Sequence, residues 1–388
     1  MQRKTRVLFL FEGLYGRGAE RVALNLISRL DREQFEPRLW VLRPVDDLRG
    51  EVPPGVSVHV ALPPDQRIRH QLGRVPLGLL REAARADVIV AAVELMPTYF
   101  GFLAGLLTGR PVVSWVHNSM DRTFASLPAW HTRLSRWIYP RLPRLVFVSD
   151  GTRRTLSGLI PLREERLSVI HNPLNLAGVR ALQQEALPEW AAFMTERPTV
   201  LSVGRLTGQK GFDLLIEAHA ALRAQGLQHD LLILGEGGSR PELEALARRL
   251  GVADSVHLPG HTANPYPFMR QAAAFALSSR YEGLPTVLIE ALACGTPVVA
   301  ADCPSGPDEI LEGGQHGLLV PAGDSAALAQ GLAAVLEDGA LRQRLREAGL
   351  RRVQDFAPER TVPVWEAVLH ATARRQGQRE RRASQLRA

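Results

Sequence analysis

Two glutamates stand eight residues apart in an otherwise apolar stretch, Glu282 and Glu290 in YEGLPTVLIEALACGTPVVA from Tyr281. Carboxylates are among the side chains least often fully buried without a partner, so polar groups are expected opposite them. Glu282 would also suit the first turn of a helix, where the dipole favours negative charge, and a solvated helix edge would accommodate Glu290. Against that, Leu284, Val287, Leu288, Ile289, Ala291, Leu292 and Ala293 leave Glu290 no polar face to share. A helix apolar nearly all round is a buried one.

The second candidate is cationic. SVGRLTGQKGFDLLIEA, from Ser202, sets Gly204, Gly208 and Gly211 around Arg205 and Lys210, after a strand and before an amphipathic helix. Backbone amides at a helix start, together with two cations, form a site for phosphate. A solvated loop is the ordinary alternative, but the chain has only two lysines, Lys4 and Lys210, among 47 basic residues, so a lysine here is poor filler. A compact ammonium on a flexible stem suits a terminal phosphate oxygen. The GxxxxGK[ST] pattern is missing, which disfavours a nucleoside triphosphatase. LGEGG from Leu234, with Gly235 and Gly237, permits close approach to a ligand or simply a tight turn into a helix from Arg240 to Leu250.

These residues need elements to hold them. Short apolar or β-branched runs begin at Val7, Pro37, Val56, Asp87, Pro111, Arg144 and Leu167, with helical patterns such as ERVALNLISRL from Glu20 between them. After LQQEALPEWAAFMTERP a second series begins at Pro198, Asp230, Ser255, Ala273, Thr296 and His316. Strands alternating with helices imply βαβ units and parallel sheets, here two Rossmann-like α/β domains in tandem. The expected division is 1–175, 176–365 and a helix end with a basic tail over 366–388.

Ligands of open α/β sheets bind outside the carboxyl ends of the strands. Those ends are polar: Glu12 with Gly13 and Gly16, His117 with Asn118, Ser149 with Asp150 and His171 with Asn172 in the first half. In the second they are Gly204 with Arg205, Gly235 to Gly238, Gly260 with His261, and Ser278 to Arg280 leading into Glu282. Two sheets with facing functional edges would form one interdomain cleft.

Composition bounds the partners. The 388 residues are 45% hydrophobic, as in an ordinary soluble chain. The apolar run before Glu12 is too short for a signal-peptide core, and MPTYFGFLAGLLTG from Met96 falls short of a bilayer span, so a cytoplasmic protein is expected. Residues 1–180 hold 26 Lys+Arg against 16 Asp+Glu, and residues 181–388 hold 21 against 24. The basic surplus therefore belongs to the first half, where Gln66 to Arg85 and HTRLSRWIYPRLPR around Arg141 suit an anionic membrane surface or an ordinary solvated helix face. Sparse aromatic residues, 6%, argue against nucleic acid despite a pI near 10.0. Cys294 and Cys303 have no nearby ligands and suggest small buried residues rather than a metal site or disulfide.

SVGRLTGQKGFDLLIEA, LILGEGGSRPELE, VHLPGHTANPYPFMRQA, SSRYEGLPTVLIEALACGTPVVAADC and HGLLVPAGD, in this order, resemble the second domain of the retaining glycosyltransferases of family four, which have the GT-B fold. GRGAERVALNL, WVHNS, FVSD and VIHNP resemble its first domain, and the likeness runs from about Arg6 to Trp365. The resemblance implies that Glu282 lies against hydroxyls of the transferred sugar and Glu290 hydrogen-bonds the nucleotide ribose. It implies that Arg205 and Lys210 neutralise the diphosphate, that amides near Gly283, Leu284, Pro285 and Thr286 assist, and that His117 contacts the donor sugar. Gly16, Gly18, Gly204, Gly235, Gly237 and His261 fall on donor-binding segments. In the family two adjacent glycines usually precede Ala-Glu-Arg, whereas Arg17 takes the first glycine's place here, adding a phosphate contact or narrowing the acceptor site.

The implied reaction is retaining transfer from a nucleotide sugar, with no cofactor and no metal, since fixed cations and amides meet the leaving group's charge. DCPSGPDEIL resembles variants that use UDP-hexoses or UDP-N-acetylhexosamines, with GDP-mannose the other donor to consider. The basic first half points to a lipid, lipid-linked glycan or polysaccharide acceptor at the inner membrane face. A nucleotide-sugar 2-epimerase of the same fold and a non-catalytic nucleotide-sugar-binding module stay open. A glycoside hydrolase would use two carboxylates across one bond but has no need of the cation pair.

Overall fold

The computed structural model describes residues 3–15, 18–45, 47–62 and 74–385. Among these, β1 (Thr5–Phe11), β2 (Phe35–Val41), β3 (Ser57–Val60), β4 (Val88–Ala91), β5 (Val112–Val116), β6 (Arg144–Phe147) and β7 (Leu167–Val169) form a seven-stranded sheet ordered β3-β2-β1-β4-β5-β6-β7. A six-stranded sheet, ordered β10-β9-β8-β11-β12-β13, comprises β8 (Thr199–Val203), β9 (Asp230–Leu234), β10 (Val256–Gly260), β11 (Ala274–Leu277), β12 (Val298–Asp302) and β13 (Leu318–Pro321). The strands in both pair in parallel, for example Val7 with Val88 and Ala274 with Val200. Every apolar run read as a strand in the sequence is one.

Parallel strands covered by helices on both faces read as continuous apolar runs rather than alternating ones. β4, β5, β9 and β11 are buried at every residue for this reason. Crossover helices start and stop where local chemistry directs. Ser149 closes a capping box with Thr152 at the head of the Asp150–Leu159 helix. Pro97 opens the Met96–Thr108 helix, and Gly109, left-handed at φ 70°, ends it.

The chain divides into two compact units, one of residues up to Pro173 together with those from Pro358, the other Leu174–Ala357. The expected boundary at 365 therefore differs from the observed one, because the Pro358–Gln385 helix returns to the first unit. Trp365 is wholly buried there, its ring 4.4 Å from that of Trp115. Glu366 accepts the Asp31 amide at 2.8 Å, and the His370 ring lies 4.4 Å from Phe35.

In each sheet the strand order reverses once, between β1 and β4 and between β8 and β11. At such a switch point neighbouring crossovers leave on opposite faces, and the loops beyond the strand ends part to leave a crevice. In the second unit the parting loops carry Arg205 and Lys210 after β8, and Glu282 after β11.

Candidate active site

The two loops of the second unit are knotted together. Lys210 Nζ donates to Glu282 Oε1 at 2.6 Å, and Ser279 Oγ donates to the same oxygen at 2.6 Å. Glu282 is 7% exposed and Lys210 17% by side chain, so a nearly buried carboxylate has found the partner its burial demands. Oε1 is doubly engaged while Oε2 has no hydrogen bond among the described residues, and Lys210 retains further N–H donors. The pair can thus grip one more donor and one more acceptor.

Neighbouring contacts hold this geometry. Ser278 Oγ donates to the Lys210 carbonyl at 2.8 Å, Gln209 Nε2 to the Tyr281 carbonyl at 3.0 Å, and the Arg280 amide to the Gln209 carbonyl at 2.8 Å. Arg280 also forks onto Asp213 at 2.8 and 2.6 Å and reaches the Gly208 carbonyl at 2.8 Å. That guanidinium holds the Asp213 carboxyl below its usual range. Gly211 sits at φ +63°, and a Cβ there would lie 2.1 Å from the Ser278 carbonyl oxygen, so only glycine lets the loops meet.

Arg205 differs. Its side chain is exposed and has no hydrogen bond or ion pair among the described residues. The Lys210 charge is balanced by Glu282, so Arg205 is the open cation of the loop. Of the two cations named in the sequence, one is thus paired and the other exposed. Gly204, just before Arg205, packs against the lysine stem: a Cβ there would come within 3.4 Å of Lys210 Cε.

Gly235 and Gly237 serve the packing of loop on loop. A Cβ on Gly235, at φ +153°, would stand 1.8 Å from the Gly204 carbonyl oxygen, and one on Gly237 would stand 2.3 Å from that of Leu206. His261, exposed after the edge strand β10, lines a cavity of about 360 Å³ with Leu234, Gly260, Trp190 and Phe268. Gly283, Leu284 and Pro285 are buried and lead into the Thr286–Ala293 helix, where the amides of Leu284 and Thr286 have no backbone acceptor among the described residues. Glu290 is half-buried on that helix, more exposed than an all-apolar surround predicts, while Leu288, Ile289, Ala291 and Leu292 carry the buried face. Burial, with help from the Glu290 charge, pushes the Cys294 thiol up to about 12. Cys294 and Cys303 are both free and buried.

In the first unit His117 follows β5 and is buried. Its amide donates to Glu94 Oε2 at 3.0 Å, and Asn118 Nδ2 donates to Glu94 Oε1. His117 Nε2 meets the Ala92 carbonyl at 3.0 Å, which makes Nε2 the protonated nitrogen and leaves Nδ1 an acceptor. Burial lowers the His117 pKa to about 4, against an opposing pull from Glu94, so the ring is neutral. Glu94 was not singled out in the sequence, although a carboxylate closing the apolar run DVIVAAVE was a usable signal. Gly18 begins the Gly18–Arg29 helix, and a Cβ there would meet open space. Gly16 and Arg17 lie outside the described residues.

Residues 16–177 match the family described as Glycosyltransferase Family 4, and residues 183–352 match Glycosyl transferases group 1. The lipopolysaccharide core biosynthesis glycosyltransferase LpsE of Rhizobium meliloti is 30% identical over 341 residues, 86% of this chain and 89% of that protein. The chain belongs to glycosyltransferase family 4. A second relative of this glycosyltransferase, an N-acetylgalactosamine-N,N'-diacetylbacillosaminyl-diphospho-undecaprenol 4-alpha-N-acetylgalactosaminyltransferase of Campylobacter jejuni, is 34% identical over 269 residues, 68% of this chain and 69% of that one. The solved structure of Anabaena HepE in complex with UDP shares the fold, with a TM-score of 0.80 over 95% of this chain and 100% of that one at 21% identity. The glycosyltransferase thus has the GT-B fold, and the knot of Lys210 and Glu282 lies within its group 1 segment.

Proposed function

We propose that this glycosyltransferase moves a hexose or N-acetylhexosamine, with retention of configuration, from a UDP-sugar to a lipid-linked glycan, lipid or polysaccharide. The observation that carries the reading is the Lys210–Glu282 pair at the switch point, with a spare carboxylate oxygen and spare ammonium donors on loops too tightly tied to drift. An ionised acceptor bonded to sugar hydroxyls is stronger than a neutral one, so Glu282 Oε2 takes a hydroxyl of the transferred sugar. Lys210 and Arg205 take phosphate oxygens, and Glu290 takes the ribose. HepE, the structural neighbour, was solved with UDP, and the Campylobacter relative is named for a diphospho-undecaprenol-linked substrate, which supports both ends of the reading.

In the proposed reaction the bond from C1 to the diphosphate oxygen breaks while the acceptor hydroxyl oxygen bonds C1 on the same face. The acceptor's proton passes to the departing phosphate oxygen. Negative charge grows on the diphosphate, and preorganised cations and helix-start amides meet it without reorganising, the role a divalent ion plays elsewhere. His117, neutral with Nδ1 open, accepts from a sugar hydroxyl.

Thermal shifts with UDP, GDP and ADP, followed by incubation of labelled UDP-sugars with a lipid extract and with soluble glycans, test the proposal. Stabilisation by UDP and a labelled product of retained anomeric configuration are expected. A preference for GDP would overturn the donor, and an inverted product the mechanism.

A further inference from the structure

The Met96–Thr108 helix carries no charged residue, yet its outer face is not covered. Leu103, Leu106 and Leu107 are 47%, 66% and 62% exposed, spaced as one stripe along the helix. Beside it runs the Ala129–Ile138 helix, whose Trp130 and Trp137, two turns apart on one face, are also about half exposed. The Phe102 ring meets Trp137 edge-on at 5.3 Å, and Tyr99 Oη bonds Ser135 Oγ at 2.9 Å, so the two helices present one rigid surface. Contiguous apolar area of this kind marks an interaction site.

Charge identifies the occupant. From Leu95 to Val148 the chain holds Arg110, Arg122, Arg133, Arg136, Arg141 and Arg144 against the single carboxylate of Asp121. Arg133, Arg136 and Arg141 are exposed and have no carboxylate partner among the described residues, and Arg141 lies 4.8 Å over the Trp137 ring. A cavity of about 550 Å³ at the far end of the face is lined by Phe102, Leu106, Arg110, Arg141, Arg144 and Glu165. Leucines flanked by tryptophans and arginines match the layers of an anionic bilayer surface: acyl chain, interface and phosphate. A protein partner would be expected to present carboxylates and a complementary pocket, and nothing here requires either.

We propose that this face docks the glycosyltransferase on an anionic bilayer, which deepens the proposed function and rests on its lipid-borne acceptor. Leu103, Leu106 and Leu107 enter the acyl boundary, Trp130 and Trp137 lie at the headgroup level, and the arginines contact lipid phosphates. The face begins beside the first unit's site, for Trp130 is 6.4 Å from Tyr99 in the first turn of the helix that follows Glu94. A lipid-linked acceptor held at this surface is therefore delivered towards His117.

The test is flotation of the full chain with vesicles of phosphatidylcholine alone or mixed with phosphatidylglycerol. Binding to the mixed vesicles only, weakened by added salt, is expected, with quenching of tryptophan emission by brominated acyl chains that disappears in Trp130→Phe/Trp137→Phe. Each arginine near an anionic surface contributes about fivefold, so Arg133→Ala/Arg136→Ala should bind about 25-fold more weakly. Leu106→Glu/Leu107→Glu should abolish flotation while keeping the UDP thermal shift, which shows the variant folded. Absence of flotation by the wild-type chain overturns the proposal, as does flotation indifferent to both double variants. A dimer that the leucine variant splits, without vesicle binding, assigns the face to a second copy and overturns it too. A wild-type chain that floats but shows no UDP shift leaves the docking face standing and removes the donor reading instead.

Discussion

The loops beyond the two sheets each hold a carboxylate, but with different electrostatics. In the second unit a carboxylate and an ammonium meet at 2.6 Å, both ionised types, with Arg205 open beside them. In the first unit Glu94 receives, among the described residues, only neutral donors, the His117 amide and the Asn118 side chain, and the ring it supports is neutral. A departing diphosphate needs compensating charge, whereas polyol recognition needs fixed neutral donors and acceptors. In the proposed reaction, charge stabilisation therefore falls to the second unit and orientation to the first.

Lys210→Ala should break this contrast most severely. Removing one such contact costs about 3 to 4 kcal/mol at the transition state, read as kcat/KM for the UDP-sugar. It also strands Glu282, so the melting temperature should fall, and Lys210→Ala/Glu282→Gln should recover part of the stability but none of the activity. A double variant whose stability loss equals the sum of the single losses would show the pair uncoupled.

Glu94→Ala should come next. It leaves the buried His117 amide without its acceptor and should destabilise the chain by about 1 to 3 kcal/mol in urea melts. UDP affinity should stay unchanged, because the donor's phosphates are assigned to the other unit; a large loss of UDP binding would reverse that assignment. Arg205→Ala should be gentler and of a different kind. With no partner to strand, it should leave the melting temperature alone and weaken UDP by about 1 to 2 kcal/mol, less at high salt.

The smallest effect at ordinary pH comes from histidines kept neutral by burial. His117 is lowered to about 4 and His219 to about 3, the latter also by the adjacent His229 at 2.9 Å. Unfolded histidines take up protons near pH 6.5 while the native ones do not, so stability should be full above pH 6.5 and fall as pH drops towards 4. By pH 6 the loss should be under about 1 kcal/mol per histidine. His117→Gln and His219→Gln should flatten the slope of melting temperature against pH, and an unchanged slope would show these rings titrate normally.

Much of this was legible along the chain. Thirteen apolar runs marked the strands, most plainly the central β4, β5, β9 and β11, whose burial on both faces leaves no alternation. Lys210 stood out by rarity, and Glu282 by its surroundings, so both halves of the site could be named before they were joined. Local pattern could not join them: they are 72 residues apart, and only the order β8-β11 brings their loops together.

The same limit hid Glu94, whose meaning depends on β4 lying next to β5. It hid the return of the last helix to the first unit, because Trp365 reads as an ordinary core residue until Trp115 is seen beside it. MPTYFGFLAGLLTG forms the 13-residue Met96–Thr108 helix, and no helix among the described residues is long and apolar enough to cross a membrane. Which of its leucines face outward was settled only when the neighbouring helix covered one side and left the other bare. Sequence determines what each segment prefers, since period, caps and residue chemistry act over a few residues. Tertiary structure alone decides which preferences are satisfied by a neighbour and which are left for a ligand, because burial and ion pairing are properties of distance in space.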